Sequence, residues 1–208
     1  MTEFRTMQAA RGFSMLEILV TILILLLGLL GLAGLQTRAH TAELESYQRA
    51  QALILASKMV DAIRSNRRTA QCFAVTDATT GTPFAGTTAT GYVGPLACAA
   101  STAAENTLAN NSFAEWDQAL QGAAETKSGA SIGAMLGARG CVSYDATTEL
   151  IDPATGGITS GTGLYTVAVA WQGLNDIFAT TVNCANGLYG SELKRRAVTM
   201  SFRIGHLL

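Results

Sequence analysis

A chain of 208 residues holds one domain of ordinary size plus an appendage. Hydrophobic residues make up 49% of it, high for a soluble protein, and one N-terminal stretch supplies much of the excess. The formal net charge of -1 gives no electrostatic reason to expect nucleic acid or acidic substrates.

The chain begins with a short basic segment, 1–12, carrying Arg5 and Arg11. From Ile18 to Leu35 there is no charged residue over 18 positions. With Phe13 to Leu16 added, the run passes the ~20 residues that a helix needs to cross a bilayer. Arg5 and Arg11 place the N-terminus in the cytoplasm by the positive-inside rule, so the rest of the chain is exported. A cleaved secretory signal would have an apolar core of about 7–15 residues and a small-residue cleavage site behind it. This run is longer, and the sequence after it, "QTRAHTAELESYQRAQALILASKMVDAIRSNRR", continues in a helical pattern. Pro is absent from Met1 to Thr82, and Ala52, Leu55, Ala56, Met59, Ala62 and Ile63 recur at three- and four-residue spacing. One helix from about Ser14 to about Arg67 is expected, apolar on all sides in its first half and amphipathic in its second. About 50 residues of helix span ~75 Å, a length that suits assembly better than a small globular core. Glu17 stands out, because a carboxylate in lipid costs several kcal/mol.

The exported part reads as short alternating elements. Ser112 and Glu115 form a capping-box pattern ahead of Phe113, Trp116 and Leu120, which predicts a short amphipathic helix. In "YTVAVAW", Tyr165, Val167, Val169 and Trp171 face one way and Thr166, Ala168 and Ala170 the other. "AVTMSFRI" alternates likewise, with Val198, Met200, Phe202 and Ile204 on its apolar side. "GCVSYD" and "FATTVN" are further expected strands, and "DPATGGITSGTG" is a turn-rich connection. The fold class is therefore α+β: a long N-terminal helix, its first half transmembrane, packed by its second half on a small antiparallel sheet.

These residues carry a family resemblance. "RGFSMLEILV" resembles the class III signal of type IV prepilins, in which a short basic leader ends in Gly, Phe follows, and Glu stands fifth after the cut. The resemblance implies cleavage between Gly12 and Phe13 by a prepilin peptidase on the cytoplasmic side, N-methylation of Phe13, and retention of the apolar run as an anchor. Glu17 then has two readings: a partner for the N-terminal amine of a neighbouring subunit, which would fix register, or a headgroup-level carboxylate in the free membrane pool. Gly28, Gly31 and Gly34, at three-residue spacing, either let helices approach closely or loosen the helix.

Further stretches, "RAQALILASKMVDAIRSNRRTA", "SFAEWDQAL", "GLYTVAVAWQG" and "LKRRAVTMSFRI", resemble segments of PilV-type minor pilins. "CFAVTDATTGTPFAGTTATGYVGPLACAAS" matches no motif, and "KSGASIGAMLGARGC" replaces the family's small Gly/Pro element. The implied organisation is a leader (1–12), a transmembrane half-helix (13–35), an amphipathic periplasmic half (36–70) and a globular pilin domain (71–208), with a lollipop outline. The implied function is that of a non-catalytic minor pilin that helps initiate a type IV pilus and sits at or near its tip. The alternative is a minor pseudopilin of a type II secretion or DNA-uptake system. Implied partners are the major pilin, other minor pilins, the prepilin peptidase, the inner-membrane assembly platform and the membrane itself. The implied location is the inner membrane before assembly and the cell-surface pilus after it.

Cysteine and histidine usage points away from catalysis. Cys72, Cys98, Cys141 and Cys184 all follow the apolar run, an even number that suits an oxidising compartment. They lack C-x-x-C spacing, so no metal site is expected. Three disulfide pairings are open; sequential pairing, Cys72–Cys98 and Cys141–Cys184, is preferred, closing the loop after the long helix and tying two strand regions together. His40 and His206 are the only histidines and lie far apart in sequence, so no Ser-His-Asp set assembles. Gly161 to Gly163 form a turn without the strand and helix of a phosphate loop. Glu43, Glu45 and Arg49 read as a solvated helix face or as contacts between subunits, and Trp116 and Trp171 as core residues. No catalytic residue and no cofactor is expected.

Overall fold

The structure, a computed structural model, describes residues 12–86, 96, 98, 101–122, 126–127, 130–131 and 135–205. Residues 1–11 of the expected leader, with Arg5 and Arg11, and His206 lie outside the described residues, as do parts of 72–101 and of 127–141. The chain divides into two compact units, 1–44 and 45–208.

Helix α1 runs Met15–Ser65 without interruption and crosses the boundary between the units. Its sequence has no Pro, and Leu and Ala, both strong helix formers, dominate it. In the second unit its buried face is Gln48, Ala52, Ala56, Met59, Val60 and Ile63, the three- and four-residue stripe that the sequence predicts. Asn66 ends the helix: its amide nitrogen and its side-chain Nδ2 both donate to the Ala62 carbonyl, at 3.1 and 2.8 Å. A 3₁₀ turn, Arg67–Phe73, follows and buries Thr69, Ala70 and Phe73. The regular helix thus stops two residues short of the expected Arg67.

Helix α2 is Ala103–Leu120, more than twice the length expected from its apolar stripe. Its N-cap is Thr102, not Ser112. The Thr102 hydroxyl accepts from the Glu105 amide at 3.3 Å, and the Glu105 carboxylate accepts from the Thr102 amide at 2.9 Å, a complete capping box. Ser112 lies inside the helix and donates to the Leu108 carbonyl.

Among the described residues seven strands follow: β1 Thr126–Lys127, β2 Ala130–Ser131, β3 Arg139–Asp145, β4 Leu150–Ile151, β5 Ile158–Thr159, β6 Leu164–Gln172 and β7 Arg195–Arg203. The main sheet has the order β3-β6-β7 and is antiparallel throughout, with Cys141 opposite Ala168 and Ala168 opposite Thr199. β1 pairs with β2, and β4 with β5, as two-residue ladders. The β4–β5 ladder lies inside what the sequence presents as an irregular connection. "FATTVN" is not a strand. Two of its carbonyls, Thr180 and Val182, and that of Cys184 just beyond it accept instead from the buried Arg195 guanidinium.

The sheet is covered on both faces. One face carries Val142, Tyr165, Val167, Val169, Trp171, Val198 and Phe202 into a core shared with Ala52, Ala56, Met59 and Ile63 of α1 and with Phe113, Trp116 and Leu120 of α2. This is the α+β packing expected, with both tryptophans in the core. The second face carries Cys141, Ala168 and Ala170 into a smaller cluster with Phe84, Cys184, Ala185 and Tyr189. Small residues at 168 and 170 let the chain around Cys184 lie against the strand.

Candidate membrane-anchoring and assembly segment

The first unit is built around one long apolar surface. Helix α1 contains an 18-residue window of mean hydropathy 2.9, none of it buried among the described residues, long and apolar enough to cross a membrane. From Phe13 to Leu35 the large side chains are exposed, including Phe13 at 82% and Leu30 at 74%. Such a surface is costly in water and favourable in lipid. Its polar atoms suit that medium. Thr21 donates its hydroxyl to the Ile18 carbonyl at 2.8 Å and Thr37 to Ala33 at 3.1 Å, so both hydroxyls are satisfied within the helix. The span is thus compatible with a single-pass membrane anchor.

Gly12 and Phe13 precede the helix in irregular, exposed backbone. Ser14 starts the helix: its hydroxyl accepts from the Leu16 amide at 3.3 Å, and its carbonyl from Glu17 and Ile18 at 3.0 and 3.3 Å. Glu17 therefore lies in the first turn, where the exposed amides and the helix dipole favour a negative charge. Among the described residues its side chain has no hydrogen-bond or ion-pair partner. Gly28, Gly31 and Gly34 leave open notches: a Cβ added at any of them meets nothing within 4 Å.

Around the end of this unit, His40 Nδ1 lies 3.8 Å from Glu43 Oε2, with both side chains exposed. In the second unit Arg49 is exposed, whereas Glu45 is half-buried and faces Arg196 Nη2 at 3.7 Å. Glu45 is thus partly engaged by β7 rather than solvated. The four cysteines all belong to the second unit and form Cys72–Cys98 and Cys141–Cys184.

The sequence did not reveal a cavity of about 400 Å³ in the second unit, lined by Arg67, Arg68, Gln71, Ser160 and Tyr165. Gln71 donates to Ser160 at 3.1 Å, Arg68 pairs with Glu105 at 3.4 Å, and the Tyr165 hydroxyl donates to Gly161. Burial pushes the Tyr165 hydroxyl pKa well up, so it stays a neutral donor. These groups are tied to one another as a hydrogen-bonded rim, without a nucleophile–base pair. Among the described residues no group of three His, Cys, Asp or Glu is placed to hold a metal ion.

No family model, curated protein or solved structure matches this chain.

Proposed function

We propose that this chain is a minor pilin of a type IV pilus, made as a prepilin, cut between Gly12 and Phe13, methylated at Phe13, and held in the inner membrane until it enters the filament. The observation that carries the reading is the register of Gly12, Phe13 and Glu17 against α1. The proposed cut falls in exposed, irregular backbone at the mouth of the helix, and Glu17 stands one turn inside it. Behind Glu17 lies a long run of exposed apolar side chains. A filament core of bundled helices would cover that surface. The new amine at Phe13 would be partnered by the Glu17 carboxylate of a neighbour, offsetting the desolvation of both charges. Arg5 and Arg11 put the N-terminus in the cytoplasm, and two disulfides in the head suit a periplasmic and then extracellular location. The head then contributes contacts at or near the filament tip rather than catalysis.

Intact-mass analysis of protein from cells with an active prepilin peptidase tests the processing step: the mature chain is expected to begin at N-methylated Phe13. A start beyond Leu35 would mark ordinary signal-peptide removal and overturn the reading. Assembly is tested with Glu17→Gln. Insertion persists, because an amide is cheaper in lipid than a carboxylate. The ratio of protein in sheared surface filaments to protein in membranes falls, since breaking a buried pair costs about 3–5 kcal/mol. Equal partitioning of Glu17→Gln and the unaltered chain shows that this carboxylate does not govern assembly. Co-purification with secretion or DNA-uptake components in place of pilus components reassigns the chain to a pseudopilus.

A further inference from the structure

Two contacts fix the direction of β7 along the part of α1 that belongs to the second unit. The Arg64 guanidinium lies 5.2 Å above the Phe202 ring, and Glu45 faces Arg196 at 3.7 Å. β7 therefore runs the same way as α1, and β6, antiparallel to it, runs back. The connection from β6 to β7, residues 173–194, consequently lies at the end of the second unit where α1 enters at Glu45. The β4–β5 ladder lies at the other end, since the neighbouring Ser160 bonds Gln71, beyond the C-terminus of α1.

At the Glu45 end the connection exposes four large apolar side chains close together: Leu174 at 48%, Ile177 at 52%, Phe178 at 80% and Leu193 at 43%. Scattered apolar residues on a surface need no explanation. These four share one braced loop. The Gly173 amide donates to the Lys194 carbonyl at 2.8 Å, the Ile177 amide to Leu193 at 3.0 Å, and Arg196 Nη2 to the Asn175 carbonyl at 2.5 Å. Arg196 links this loop to Glu45 through its own guanidinium. Glu45 follows Leu35, the last residue of the apolar run, by only ten residues. In helical form that is a tether of about 15 Å. The end of the second unit that carries the loop is therefore joined to the apolar run by a short tether. An amphipathic helix lying in the interface buries its apolar face about 5–10 Å into the headgroup–acyl boundary, a depth that exposed loop side chains of this size can share.

We propose that the loop Leu174–Phe178 is a membrane-interface contact. Leu174, Ile177 and Phe178 enter the headgroup boundary of the bilayer that α1 crosses, steadying the head on the membrane before assembly. Within Leu174–Phe178 Asp176 is the one charged residue and is exposed, so the loop has no basic residue to favour an anionic surface and suits a phospholipid surface of low net charge. The inference rests on α1 being a membrane anchor and is independent of filament assembly.

Quenching by lipid bromines reads the contact directly. The native tryptophans are buried, at 1% and 4% exposure, and give a constant background. The full chain is reconstituted in phosphatidylethanolamine-containing vesicles without bromine, with bromine near the headgroup end of the acyl chains for the head probes, or with bromine near the chain middle for Leu26→Trp. Three variants carry one added tryptophan each: Phe178→Trp in the loop, Ile158→Trp in β5, which is 72% exposed, and Leu26→Trp in the apolar run. The expected result is quenching of Phe178→Trp and Leu26→Trp with Ile158→Trp unaffected. Quenching of Leu26→Trp alone overturns the loop contact and leaves the anchor intact. Equal quenching of both head probes overturns it too, since the head would then lie on lipid without a preferred surface. A blue-shifted Phe178→Trp that no brominated lipid quenches assigns the loop to a protein partner instead. No quenching of Leu26→Trp removes the anchor and this inference together.

Discussion

Gly140 shows how one missing methyl group positions the core. It lies in β3, with its amide donating to the Ala85 carbonyl at 3.0 Å and its carbonyl accepting from Ala85 at 2.8 Å. A Cβ built there stands 2.2 Å from Trp116 Cη2 and 2.6 Å from Leu120 Cδ1. Gly140 is therefore the floor on which α2 sets its tryptophan, and the Trp116 indole nitrogen donates onward to the Leu55 carbonyl of α1 at 2.8 Å. That ring joins helix, helix and sheet through one buried side chain. Gly140→Ala should cost about 1–3 kcal/mol by overpacking, read as a lower urea midpoint for the chain in detergent micelles. The nearest clash is with the indole, so the same substitution in a Trp116→Leu background should cost clearly less. Equal costs in both backgrounds would show that Gly140 answers to Leu120 or the backbone, not to Trp116.

Among the elements, α2 is where the sequence was most deceptive. Both Ser112–Glu115 and Thr102–Glu105 fit the capping pattern, and only the first stands beside an apolar stripe. From Ala103 to Asn111 the helix buries just Ala109, while Leu108 is exposed, so periodicity gives no sign of the first half. The cap itself supplies what packing does not there. Glu105 also holds Arg68 at 3.4 Å, linking the helix start to the 3₁₀ turn. The missing strand at 178–183 failed to form for a related reason: its partner is the Arg195 side chain, and no local pattern announces a guanidinium arriving from 13 and 15 residues away. In contrast α1, β6 and β7 were legible, because long stripes of buried residues impose their period on the sequence. Thr102→Ala is expected to destabilise the chain by about 1 kcal/mol and to raise hydrogen exchange in the first turn of α2. The cap is also acid-sensitive. The Thr102 amide, then the Thr102 hydroxyl, hold the Glu105 carboxyl below its usual 4.5. Because the folded value is the lower one, the cap's contribution is full above about pH 4.5 and is lost as pH falls through the depressed value. Glu105→Gln should flatten that acid limb in the exchange of the Glu105-end amides; an unchanged limb assigns it to other carboxylates.

At the scale of the whole molecule, the two faces of the sheet are held by different means, and the disulfides divide accordingly. Cys98 and Cys72 adjoin the large core, where α1, α2 and three strands meet around Trp116, Tyr165 and Phe73. Cys141 and Cys184 lie in the small second-face cluster, whose large members are Phe84 and Tyr189. Tyr189 is anchored there by donating to the Gly137 carbonyl at 2.9 Å, and its buried hydroxyl is kept protonated by desolvation. Chain-entropy arguments rank the bonds nearly equal, since separations of 26 and 43 residues correspond to roughly 3–4 kcal/mol each. Packing separates them. A large core keeps Cys72 and Cys98 near one another after the bond is gone, whereas the segment around Cys184 is otherwise held by Arg195, Tyr189, a few small side chains and the hydrogen bonds of Asn183 to Ala78 and Thr79 and of Ala185 to Gly81. Replacing Cys141 and Cys184 by Ala should therefore lower the urea midpoint more than replacing Cys72 and Cys98. It should also free the amides of 180–189 to exchange while those of β6 and β7 stay protected. Matching midpoints for the two double variants, with 180–189 still protected, would mean that Arg195 and Tyr189 hold the second face without the bond.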